Sequence, residues 1–136
     1  MTKTQTITRE AMRPLIEPFG LVEAVRSGDR LYLSGQTGLD ETHQLVEGGL
    51  NAQATQAFRN IKTVIELAGG DPANILHLTW YLAERPDGRS FMEDALDVTA
   101  AREAVFPGLE TASTAVRVKE LLTPELLIEV QAVAAL

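Results

Sequence analysis

Cysteine is absent from the sequence, which excludes disulfides, thiol nucleophiles and thiolate metal sites. Histidine is scarce: His43 and His77 stand 34 positions apart, without the i, i+4 spacing of a helical metal pair, so no metal is expected. Long hydrophobic runs are missing too. No stretch approaches the ~20 apolar residues of a membrane span, and Met1 to Thr8 lack the apolar core of a signal peptide, so the expectation is a soluble cytoplasmic protein without membrane contact. Positive charge is in deficit, with 12 Lys and Arg against 19 Asp and Glu. The formal charge of -7 repels phosphate backbones, which argues against a nucleic-acid partner. The common nucleophile, P-loop, dinucleotide and zinc-protease motifs are all missing, and with them the common enzyme classes.

What is present is enough for one compact body. The 136 residues, 45% hydrophobic, fit a single domain spanning residues 1–136 that buries roughly two-thirds of its unfolded surface. Residues 1–13 read as a polar, partly flexible segment, after which Pro14 and Pro18 are expected to break any helix and set an extended path. "GLVEAVRSGDRLYLSGQTG" reads as a hairpin turning at Ser27-Gly28-Asp29, its second strand opening into a loop at Ser34-Gly35-Gln36.

From Asn51, a plausible N-cap, the period becomes helical: Ala54, Ala57, Phe58, Ile61, Val64, Ile65 and Ala68 share a face until Gly69-Gly70 stops it. "ILHLTWYLAE" alternates like a strand with two mostly apolar faces, hence a central one. A second helix is predicted from Ser90 to Phe106, with Phe91, Ala95, Val98, Arg102 and Val105 along one stripe and the acidic "EDALD" on its solvated side. Two strands follow, "STAVRVKEL" and "LLIEVQAVAAL", joined at Thr123-Pro124.

The order is therefore β-β-α-β-α-β-β, an α/β (α+β) fold in which right-handed crossovers put both helices on one face of a single mixed sheet. The other face has no cover within one chain. An apolar sheet face must be buried somewhere, so identical copies are expected to cover it.

The chemistry available is a set of polar residues on strands that otherwise look buried: Ser34, Gln36, Ser113, Thr114, Glu129 and Gln131. Glu129 and Gln131, two apart on a strand, share a face. Two readings fit these groups: they line a wet cleft that binds a small polar molecule, or they hydrogen-bond to one another across a subunit interface. Arg102 and Arg117 are likewise either carboxylate clamps or partly exposed ion pairs.

Taken in order, "YLSGQTG", "NAQATQAFRNIKTVIELAGG", "ILHLTWYLAE", "REAVFPG", "ASTAVRV" and "LIEVQAVAA" resemble the Rid family, also called YjgF or L-PSP, from about Pro14 to Ala134. The resemblance implies a fold similar to bacterial chorismate mutase, assembled as a homotrimer with a central barrel and a small-molecule ligand in each of three intersubunit clefts. It implies cofactor-free and metal-free hydrolysis of reactive enamines and imines to carbonyl compounds and ammonia. In such proteins an arginine on the penultimate strand grips a substrate carboxylate, and a glutamate on the last strand orders water.

With Val116-x-Val118 in register, the resemblance places Ser113 at the arginine's position and Gln131 at the glutamate's. It places Phe19 where tyrosine is common and Thr99 near a position often held by asparagine, with Ser34 and Gly35 retained. The implied ligand-binding set is Phe19, Ser34, Gly35, Gln36, Thr99, Ser113, Thr114 and Gln131, with no catalytic residue assigned. Three functions compete: a deaminase acting on a different imine, a non-catalytic trimer that binds a small metabolite, and, last, an endoribonuclease.

Overall fold

The computed structural model describes residues 4–136, so the first three residues of the expected flexible segment lie outside the described residues. Six strands, β1 (Thr4–Ile7), β2 (Ala24–Ser27), β3 (Arg30–Leu33), β4 (Ile75–Ala83), β5 (Ala112–Val118) and β6 (Ile128–Ala135), form one sheet in the order β1-β2-β3-β6-β4-β5. Only β4 and β5 run parallel. The helices are a short α1 (Arg13–Ile16) and the longer α2 (Gly49–Leu67) and α3 (Phe91–Val105). The β-β-α-β-α-β-β order stands, with both long helices over one face of a mixed sheet. The last strand slots between β3 and β4, a long-range pairing that puts β4 inside the sheet as its two apolar faces predict.

Three local expectations are corrected. The segment before Pro14 contributes β1, whose Thr4–Ile7 pair antiparallel with Ala24–Ser27. Pro14 and Pro18 do not set an extended path: each stands in the first turn of a helical piece, where the missing N–H has no acceptor to lose. Helix α2 starts three residues early, capped by Gly48 at φ 116° rather than by Asn51. Asn51 instead donates its side-chain amide to the Asp97 carbonyl at 3.2 Å and ties α2 to α3.

The periodic face of α2 supplies the core. Ala54, Ala57, Phe58, Ile61, Val64 and Ile65 are buried against Leu78, Trp80 and Leu82 of β4 and Ile128, Val130 and Ala132 of β6. Phe58 meets Trp80 and Phe106 edge-on, at centroid distances of 6.4 and 6.0 Å, an arrangement that adds quadrupole attraction to burial.

Helix α3 departs most from its pattern. Its N-terminus has the capping box that Ser90 and Glu93 encode, but it buries Asp94, Val98 and Ala101 while Phe91 stays partly exposed. Asp94, expected on a solvated face, has 0% exposure and accepts from three arginines: Arg117 Nη1 at 2.7 Å, Arg89 Nε at 3.0 Å and Arg85 Nη1 at 3.3 Å. Burial pushes its carboxyl upward, but the hydrogen bonds from Arg117 and Arg89 outweigh that and hold it below the usual carboxylate range. Arg117 also donates to the Ala83 carbonyl and lies over the Phe91 ring, so it is a structural cation and not a free clamp.

Asp94→Asn removes the buried carboxylate on which all three arginines converge. The expected cost is about 3 kcal/mol, or on the order of 10 °C in melting temperature. Because the native carboxyl titrates below its unfolded value, its contribution is present above the ordinary carboxylate range and lost as pH falls through it. Denaturation of wild type and variant across pH 3 to 7 checks this: the variant's acid limb flattens.

Candidate functional site

A cleft of about 440 Å³ opens where β3 leaves the sheet. After Leu33 the chain bends away, and Gln36 returns to make a two-way backbone bridge with Val130 of β6, both bonds 2.8 Å. Gly35, between the two, is pressed against Glu129. A Cβ built on Gly35 would stand 2.7 Å from the Glu129 Cδ, so only glycine permits the approach. Ser34 is fixed by its N–H to the Glu23 carbonyl at 2.8 Å and its hydroxyl to the Val22 carbonyl at 2.6 Å.

Behind this floor lies a buried network that the sequence reading missed. Arg9 donates through Nε to Glu23 Oε2 at 2.9 Å and through Nη1 to Asn60 Oδ1 at 3.2 Å, while Gln36 Nε2 donates to Glu23 Oε1 at 3.3 Å. Asn60 in turn holds the carbonyls of Thr37 and Leu39 at 3.1 and 2.9 Å. All four side chains are buried. Burial raises the Glu23 carboxyl, but the hydrogen bonds from Arg9 prevail and keep it below its ordinary value.

Glu129 is the opposite case. It is half-buried on β6, no hydrogen bond or ion pair reaches its carboxylate from the other described residues, and burial alone raises its pKa. The remaining wall is mostly apolar, formed by Met12, Leu15, Ile16, Val22, Leu39 and Leu126 with Thr37 and Thr123 among them, and Phe19, Leu21 and Leu122 are exposed at the mouth.

Of the expected set, Phe19, Ser34, Gly35 and Gln36 are brought together here. The others lie elsewhere on the chain. Gln131 does not line the cleft: pairing of β6 with β4 sets it opposite Thr79, two residues beyond Glu129 on the same face, so the carboxylate that reaches Gly35 is Glu129. Thr114, also opposite Thr79, completes a polar row across three strands on the face that the helices leave open. Ser113 pairs with Leu78 and so points to the helix-bearing face at the exposed sheet edge, while Thr99 is outward on α3 with its hydroxyl on the Ala95 carbonyl at 2.8 Å. Within one chain Ser113 and Gln131 therefore share no site. Arg9 and Asn60 gave no signal in sequence, because neither falls on an apolar stripe and their partners are 14 and 51 positions away.

The sequence pattern of the family described as endoribonuclease L-PSP matches residues 14–136. A RutC family protein from Pyrococcus horikoshii is 29% identical over 133 residues, 97% of each chain. A solved structure of a protein of unknown function from Pseudomonas aeruginosa superposes with a TM-score of 0.83 at 31% identity, over 100% of this chain and 94% of the other. The mouse 2-iminobutanoate/2-iminopropanoate deaminase is 39% identical over 66 residues, 48% of this chain and 49% of its own.

Gly35→Ala tests the contact on the cleft floor. The methyl group meets a movable side chain, so the fold survives with a melting shift of only a few degrees, while the Glu129 carboxylate swings toward water. Carboxyl carbon-13 NMR titration should then show its pKa returning toward the ordinary glutamate value.

Proposed function

This chain belongs to the endoribonuclease L-PSP family, and from that premise we propose that its cleft hydrolyses a carbon–nitrogen double bond, in a homotrimer whose subunits together close the site. The observation that carries the reading is Glu129: a lone, half-buried carboxylate with a raised pKa, set against Gly35 in an apolar cleft. Such a group exchanges protons near neutrality more readily than an exposed glutamate.

The chemistry it supports is short. An imine protonated on nitrogen has an electrophilic carbon, so the protein need supply only a positioned water and a base. Glu129 accepts a proton as the water oxygen bonds to carbon, and the C=N electron pair moves to nitrogen. The proton passes from Glu129 to that nitrogen, the C–N bond breaks, and the hydroxyl gives its proton back to the Glu129 carboxylate as the carbonyl forms, from which the departing ammonia takes it. One water is consumed and one ammonia leaves. Ser34, whose hydroxyl proton is committed to Val22, has lone pairs left to accept from the substrate N–H.

A ribonuclease reading would require cations for phosphate. Among the described residues no Lys, Arg or His lines the cleft, and the whole chain carries a formal charge of -7.

The trimer is checked by light scattering, where a mass of about 44 kDa, three times 14.8 kDa, is expected. Ammonia release from freshly generated imines checks the chemistry. Glu129→Gln should lower kcat about 100-fold or more with the assembly intact. In wild type kcat/KM rises as pH climbs through the raised value of Glu129, because the carboxylate is the active form, and the variant loses that limb. A variant as active as wild type removes Glu129 from the reaction.

A further inference from the structure

Resting on the reading of this cleft as an imine hydrolase, we infer that its substrates are imines of bulky apolar amines that carry no carboxylate. The wall is the first reason. Met12, Leu15, Ile16, Val22, Leu39 and Leu126 offer nothing to a polar substituent, and about 440 Å³ is far more than a three-carbon imine fills. A space of that size holds a branched alkyl or aryl group and gains from burying it.

Charge is the second reason. The cleft has two carboxylates and no cation among the described residues that line it. Glu23 is already neutralised by Arg9, and Arg9 has its Nε and both terminal nitrogens engaged by Glu23, Asn60 and Gln36. The Arg9 guanidinium is therefore committed inward. Of the two arginines that the sequence offers as clamps, Arg117 is held by Asp94 and Arg102, on α3, does not line the cleft. A 2-imino acid entering this cleft would bring its anion up to Glu129 with no counter-charge from its own chain, whereas an iminium cation without a carboxylate is attracted to the same group.

The mouth is the third. Phe19, Leu21 and Leu122 are at least half exposed, large and apolar, and ring the entrance. They fit a substrate whose apolar tail extends from the reacting carbon toward the rim. The products are then an apolar aldehyde or ketone and ammonia, with water as the only co-reactant. The class of reaction that supplies such a substrate is the two-electron oxidation of a primary amine.

The test uses matched pairs on the assembled wild-type protein. Imines are generated in place by an amine oxidase from 3-methylbutylamine and 2-phenylethylamine, and by an amino-acid oxidase from leucine and phenylalanine, with alanine as the small control. The rate of ammonia release above the spontaneous rate is the readout. Each carboxylate-free imine should be hydrolysed at least tenfold faster, in kcat/KM, than its carboxylated match. In Leu122→Lys, at a rim position 88% exposed that tolerates change, the preference should move at least tenfold toward the carboxylated member. If the carboxylated imines are hydrolysed as fast or faster in wild type, the substrate class is wrong while the hydrolase reading stands. If no imine in the panel is accelerated by a correctly assembled protein, both fall.

Discussion

The buried Arg9–Glu23 pair is the interaction on which the rest of the site depends. Two charges withdrawn from water are costly, and the arrangement persists because each is answered several times over: Glu23 accepts from the Arg9 side chain, the Arg9 backbone and Gln36, and Arg9 also reaches Asn60. The pair joins four separate pieces of chain. Arg9 follows β1, Glu23 precedes β2, Gln36 lies beyond β3 and Asn60 is on α2. Through Gln36 it fixes the bridge to Val130, and that bridge sets how closely Gly35 approaches Glu129. The cleft floor is thus positioned by a neutral, saturated network behind it, which leaves the carboxylate in front unpartnered.

That division separates the carboxylates by task. Glu23 and Asp94 are the most deeply buried acids, and both are held ionised by arginine against the pull of desolvation. Glu129 is less buried yet shifts the other way, because nothing compensates its desolvation. Paired acids of this kind are structural and lend stability that fades in acid. A lone one costs stability when ionised, since its folded pKa lies above the unfolded value and what it contributes is lost as pH rises through that pKa. A fold that keeps such a group needs a reason beyond packing, and proton transfer is the reason the cleft geometry supports.

The sequence disclosed those features whose physics is local. The 3.6-residue period of Ala54 to Ile65 and the alternation in Ile75–Ala83 are each written within one element, and both were legible. Features settled by distant partners were not. β1 is four residues whose first three are exposed, so no apolar run marks it. Asp94 sits in an acidic run that resembles a solvated face until Arg85 and Arg89 of the loop before α3 and Arg117 of β5 converge on it. The choice between Glu129 and Gln131 turned on register. Both share a face of β6, and only the close approach of Gly35, produced by a bend after β3, says which of them the cleft meets.

The open sheet face constrains the proposed assembly in the same way. Gln131, Thr79 and Thr114 form a neutral polar row across its middle, bordered by Glu129, Tyr81 and Val116 on one side and by Val133, His77 and Ala112 on the other. Hydroxyl and amide groups that face one another between identical subunits can satisfy each other directly or through water. A row of like charges repeated in every copy would repel itself. The absence of charge from that row is compatible with three sheets turned inward around a wet centre. It places the one ionisable carboxylate of the face, Glu129, at the border between that centre and the cleft, where a neighbouring subunit would complete the burial that its own chain leaves half done.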